Sequence, residues 1–126
     1  MQQKTVLFVG GGSVGHIAPS IAVSQALEES AKDLRPFFVC SNRPDDASFL
    51  SAHHYEYAAL EAPRLSPSFP WRFLHAMRCS RRILRSVNPD VIFSKGGYVS
   101  VPLCIEASRN GIPIILHESD VVSGRA

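Results

Sequence analysis

The sequence predicts an α/β fold, a doubly wound parallel sheet of Rossmann-like type, and three observations predict it. Short apolar runs alternate with longer helical segments along the whole chain. Those runs are continuous rather than alternating, as burial on both faces of a parallel sheet requires. A glycine-rich turn ends the first run, and sheets of this class bind ligands beyond the carboxyl ends of their strands.

The elements follow in order. Residues 5–9 read as a buried β-branched strand stopped by glycine, and 17–32 as a helix with Pro19 in its first turn, where a missing N–H does little harm. A second strand is expected at 36–40. A short helix follows at 44–52, with Asp45 and Asp46 near its positive end, then a third strand at 55–60. After a loop at 63–70 the spacing predicts a helix over 71–87, ended by Asn88-Pro89. In that helix Phe73, Met77, Leu84 and Val87 form the inward face, and Leu74, Arg78, Arg81, Arg82 and Arg85 point elsewhere. A fourth strand at 91–94, a helix at 99–109 closed by Asn110-Gly111, and a fifth strand at 112–116 complete the order.

The 126 residues suffice for one domain. Hydrophobic residues at 45% and charged residues at 19% are ordinary for a globular domain, and a net charge of +2 is too small to point to nucleic acid. The three cysteines, Cys40, Cys79 and Cys104, form no CxxC pair, and no apolar stretch reaches membrane-spanning length. No signal peptide is read at the start. A reduced, cytosolic protein with cysteines packed as small apolar residues is expected.

Three loops converge on one sheet edge. Gly10-Gly11-Gly12-Ser13-Val14-Gly15 fits G-x-G-x-x-G between strand and helix, and can offer backbone N–H groups to a phosphate. A tight βα turn without a ligand uses the same glycines. It is not a P-loop, because His16-Ile17 stands where Lys-Ser/Thr is needed. His16, beside a positive helix end that favours its neutral form, suits a general base, and equally a turn-packing histidine. Lys95-Gly96-Gly97-Tyr98 supplies a second glycine turn with a cation, and His117-Glu118-Ser119-Asp120 ends the fifth strand. The latter lacks the second histidine of HExxH, so no zinc site is expected. A dinucleotide fold wants a carboxylate after the second strand. Cys40-Ser41-Asn42-Arg43 stands there instead, which leaves Arg43 to meet a 2′-phosphate in an NADP-binding alternative.

Residues 11–16, "FSKGGYVSVP" at 93–102 and "GIPIILHESDVVSGRA" at 111–126 together resemble the N-terminal domain of the MurG family, the peptidoglycan glycosyltransferases of family 28, over essentially the whole chain. The resemblance implies half of a two-domain GT-B fold. It implies inverting transfer of N-acetylglucosamine from UDP-GlcNAc to an undecaprenyl-diphosphate-linked muramyl-pentapeptide, lipid I, with no cofactor and no tightly bound metal. It also implies that a C-terminal donor domain is needed beyond these residues. A membrane-docking, non-catalytic subunit of a split transferase is the alternative.

Carried over by position, His16 and Glu118 become the catalytic candidates. Ser13, Val14, Gly15 and Asp120 face the donor, and Gly12, Gly96, Gly97 and Tyr98 face the acceptor diphosphate. Two positions depart from the family pattern: Val14 stands for a glycine and Asp120 for an asparagine. A valine there is costly if the position needs positive φ or close phosphate approach, and a carboxylate near a diphosphate is unfavourable unless paired or protonated. The basic segment gains a role through the resemblance. Trp71, Leu74, Arg78, Arg82 and Arg85 are expected to meet an anionic membrane surface on the inner face of the plasma membrane.

Overall fold

The computed structural model of the chain describes residues 3–10, 14–30, 33–61, 67–96 and 99–117, and the side chains of 14–16 lie outside that description. Its elements are β1 (Lys4–Val9), α1 (Val14–Ser30), β2 (Leu34–Cys40), α2 (Pro44–Ala52), β3 (Glu56–Ala59), α3 (Phe69–Val87), β4 (Val91–Ser94), α4 (Ser100–Arg109) and β5 (Ile114–Leu116). The five strands form one all-parallel sheet in the order β3-β2-β1-β4-β5. The strand order reverses direction between β1 and β4, which is the switch point where open α/β sheets hold their ligands.

Alternation along the strands builds two cores. Leu7, Val9, Val39 and Ile92 face one side and pack with Leu84 and Val87 of α3 and Leu103 and Ala107 of α4. Val6, Phe8, Phe38, Cys40 and Phe93 face the other and pack with Ile17 and Ile21 of α1 and Leu50 of α2. Phe8 stacks on Phe38 at 5.0 Å and meets Phe93 at 5.5 Å. At the amino edge the Asp90 carboxylate accepts the Thr5 N–H at 2.8 Å, and the Asp90 N–H donates to the Thr5 carbonyl, so β4 is pinned to β1 before its own ladder starts.

Several boundaries differ from expectation, each for a physical reason. α1 starts at Val14, not at residue 17, so Gly15 and His16 stand in its first turn. The valine that replaces a glycine therefore sits on helical backbone, which a β-branched residue adopts without a positive φ. The buried stripe of α1 is Ile17, Ser20, Ile21 and Ser24, with Ala22 and Ala26 exposed. β3 and β5 are not buried on both faces. They are edge strands, and Ile115 and Leu116 are 53% and 77% exposed.

On α3 the fully buried residues are Ala76, Ser80, Leu84 and Val87, with Phe73 and Met77 half-buried beside them. Arg81 does not join the outward arginines. It is half-buried, and its guanidinium lies 3.2 Å from the carboxylate of the buried Glu106 on α4. α3 ends at Asn88, whose left-handed φ of 50° is tolerated by its short polar side chain and whose N–H closes on the Leu84 carbonyl.

Candidate functional site

The carboxyl edge of the sheet is held in line by hydrogen bonds that continue past the strands. Leu60 N–H donates to the Cys40 carbonyl at 2.8 Å, Gly10 N–H to Val39 at 3.3 Å, Lys95 N–H to Val9 at 3.0 Å and His117 N–H to Ser94 at 2.9 Å. These bonds bring Gly10, Lys95 and His117 side by side, although 85 residues separate the first two in sequence. The starts of α1 and α4 follow the ends of β1 and β4, so two helix N-termini flank the switch point. Neither helix carries an acidic residue in its first turn, and Val99, the N-cap residue of α4, makes no side-chain cap hydrogen bond. Their positive ends are thus not neutralised from within those turns.

Gly96 has φ +90, and a methyl group added to it would meet nothing within 4 Å. The turn therefore requires glycine for its backbone and not for space. Its N–H donates to the Ser94 hydroxyl at 3.2 Å, so a buried serine at the end of β4 fixes the start of the loop. The neighbouring Cys104 thiol is pushed up by burial, with a hydrogen bond from Ser94 opposing.

Lys95 is 8% exposed, unusual for a lysine. Its Nζ lies 2.8 Å from Nδ1 of His117, and the imidazole packs on Phe93 with ring centroids 5.5 Å apart. Among the described residues no carboxylate pairs with this ammonium. A buried cation, two helix N-termini and a left-handed glycine turn together form a locus that attracts an anion.

The end of β2 offers no ribose-binding carboxylate. Asp46 on α2 is fully buried and accepts the Ser41 hydroxyl hydrogen bond, so it is turned inward. It also acts, after burial, on the Cys40 thiol, whose pKa is raised to about 11. Arg43 stands exposed at the N-cap of α2.

Of the other sequence-predicted residues, Val14, Gly15 and His16 open α1, and Gly96 lies at the switch point. Gly12, Ser13, Gly97, Tyr98, Glu118 and Asp120 lie outside the described residues. Trp71, Leu74, Arg78, Arg82 and Arg85 are all exposed, Trp71 at 75%. Their spacing of three and four sets them along one stripe of α3, a helix with five arginines and no acidic residue. Among the described residues no helix is long and apolar enough to cross a membrane.

Sequence reasoning missed two features. The Lys95–His117 contact depends on strand register and has no local signal. The burial of Glu106 has one: it falls on the same helical face as Pro102, Leu103 and Ala107, where a charge requires a partner.

The family model of the glycosyltransferase family 28 N-terminal domain matches residues 6–126. A UDP-N-acetylglucosamine–N-acetylmuramyl-(pentapeptide) pyrophosphoryl-undecaprenol N-acetylglucosamine transferase from Lachnospira eligens is 32% identical over 130 residues, 98% of this chain and 36% of its own length. The protein of the same name from Clostridium perfringens is 32% identical over 133 residues, all of this chain and 37% of its own length. The chain thus spans little more than a third of these relatives. Among solved structures, Acinetobacter baumannii MurG superposes with a TM-score of 0.82 at 22% identity, over 97% of this chain and 37% of that one. UDP-GlcNAc 2-epimerase from Neisseria meningitidis, bound to UDP-GlcNAc, superposes with a TM-score of 0.63 at 13% identity, over 94% of this chain and 33% of the other. These likenesses place the fold as one Rossmann-like half of the GT-B type.

Proposed function

The chain belongs to the glycosyltransferase family 28 N-terminal domain family, and from that premise we propose that it supplies the acceptor-binding half of a MurG-type N-acetylglucosaminyltransferase. The donor is UDP-GlcNAc and the acceptor a lipid-linked diphospho-muramyl-pentapeptide. The observation that carries the reading is the anion-attracting locus at the β1/β4 switch point, in a chain 32% identical to transferases with that name.

The chemistry asks three things of this half. The acceptor diphosphate needs donors, which Gly12, Gly96, Gly97 and Tyr98 supply through their loops, aided by the Lys95 charge. The acceptor hydroxyl needs a base, and His16 at the start of α1 takes its proton, with Glu118 as partner. The oxygen then bonds to the anomeric carbon from the face opposite UDP, the carbon–oxygen bond to UDP breaks, and the configuration inverts. Ser13, Val14, Gly15 and Asp120 face the departing UDP-sugar, most of which a second domain holds.

The lipid tail of the acceptor requires the domain to work at a membrane. Trp71 and Leu74 provide apolar anchors and Arg78, Arg82 and Arg85 the attraction to anionic headgroups of the inner leaflet. The same stripe fits a docking subunit without catalytic duty, and one variant separates the two roles. The chain is combined with a matching C-terminal donor domain, and transfer of labelled GlcNAc to a lipid I analogue is followed. Activity that is lost in His16→Ala supports the catalytic reading. Full activity in His16→Ala makes the chain a docking subunit, and no transfer by the folded pair sinks the proposal.

A further inference from the structure

We infer that Lys95 is a positioning residue that holds His117 in its Nε2–H form, so that His117 meets the crevice as a hydrogen-bond donor and not as a proton acceptor. An ammonium carries three donors and no acceptor, so its contact with Nδ1 at 2.8 Å uses the lone pair of that nitrogen. The ring proton is then on Nε2.

Three further contacts fix the arrangement. The backbone N–H groups of both residues are tied to the neighbouring strands, Lys95 to Val9 and His117 to Ser94. The imidazole meets the Phe93 ring at a tilt of 33°, with centroids 5.5 Å apart. Lys95 is buried while His117 is exposed, so the contact runs from the interior toward the surface. Among the described residues Nε2 has no hydrogen-bond partner.

The ligand chemistry this suits is an oxygen acceptor with negative charge, such as a phosphate oxygen. That identification rests on the proposed transferase reading, but the tautomer does not. One consequence is specific: His117 does not take the proton of the acceptor hydroxyl, which leaves that duty to another group.

The test uses the full chain labelled with 15N-histidine. In the parent protein, His117 Nδ1 is expected to resonate as an unprotonated nitrogen and Nε2 as a protonated one. Lys95→Arg, which keeps a charged donor, is expected to preserve this pattern. Lys95→Met is expected to let an Nδ1–H population appear while the amide spectrum stays folded. Inorganic pyrophosphate is the probe for the donor role. It should shift the Nε2 signal, with roughly tenfold weaker binding in Lys95→Met, the effect of one lost charge-assisted hydrogen bond. His117→Gln, whose amide nitrogen approximates Nε2, should bind pyrophosphate better than His117→Asn.

A predominant Nδ1–H form in the parent protein, or an unchanged tautomer in Lys95→Met, overturns the positioning role. A pyrophosphate titration that leaves Nε2 unmoved overturns the donor role. Loss of the transferase reading, scored by GlcNAc transfer, leaves the tautomer result untouched, so the two failures are distinguishable.

Discussion

Arg81 on α3 places its Nη2 3.2 Å from Oε1 of Glu106 on α4, and Glu106 is 2% exposed. Arg109, three residues on, reaches the same oxygen at 3.3 Å from a more exposed position. The two helices that cover one face of the sheet are therefore joined through a single buried carboxylate. Removing a partner from a buried charge costs more than replacing the charge by an apolar group of similar size. Arg81→Met is expected to lower unfolding stability by about 2 kcal/mol, the scale of a lost hydrogen bond to a charged group. Glu106→Leu is expected to cost less. Urea unfolding of the two variants measures the order, and a larger loss in Glu106→Leu would reverse the assignment.

Gly96 offers a cleaner backbone experiment. Its φ of +90 meets open space where a Cβ would sit, so alanine adds strain without a clash. A cost of about 1–2 kcal/mol is expected for Gly96→Ala from the left-handed backbone alone. Gly111, at φ +72 and also without a neighbour, is the control. Both variants should lose similar stability, but only Gly96→Ala should weaken pyrophosphate binding, as read by calorimetry.

Burial and the Asp46 carboxylate raise the Cys40 thiol pKa to about 11. The folded value lies above the unfolded one, so the associated stability is complete below about pH 9 and is lost as pH rises through about 11. The difference between about 9 and about 11 corresponds to about 3 kcal/mol. The difference in unfolding free energy between the parent protein and Cys40→Ala should shrink over that window. Equal slopes for the two proteins would contradict it. At neutral pH, alkylation of Cys40 should be slow until the chain unfolds.

The arginine stripe predicts a salt-sensitive membrane affinity. Each of Arg78, Arg82 and Arg85 should contribute about 1 kcal/mol to partitioning onto vesicles rich in phosphatidylglycerol, about fivefold per residue. Replacing each by glutamine should lower sedimentation with vesicles stepwise, and neutral vesicles should erase the differences. Leu74→Ser and Trp71→Ser should weaken binding to both vesicle types, because their contribution is apolar. Arg81→Gln, whose guanidinium is engaged by Glu106, should matter least among the arginines for vesicle binding.

Much of the fold was legible because each central strand is written as a dense apolar run. β4 and α2 fall at the expected residues, and the stops at Gly10, Asn88-Pro89 and Asn110-Gly111 mark real chain reversals. The errors have local causes. The glycines before His16 suggest a loop until residue 17, yet helical backbone accepts Gly15 and starts three residues earlier. Edge strands bury less than central ones, so the exposure of Leu116 follows from strand order, which periodicity does not encode. That the carboxyl ends of β1, β4 and β5 lie side by side was legible from topology rules alone. The contacts that tune it were not. Arg81 finds Glu106 across two helices and Lys95 finds His117 across two strands, and both pairings are fixed by register between distant segments.

The central position of β1 also sets when the crevice can exist. β1 is complete at Val9, but its partner β4 begins at Val91, whereas β2 is available from Leu34. During synthesis the β3-β2-β1 side can pair while the switch point still lacks a wall. Closure of such a long loop is slow relative to local pairing, since its entropy must be overcome before contacts reward it. The β1/β4 switch point is thus among the last features to assemble, and a pause or cleavage between α2 and β4 would leave a partly paired sheet with β1 exposed along one edge.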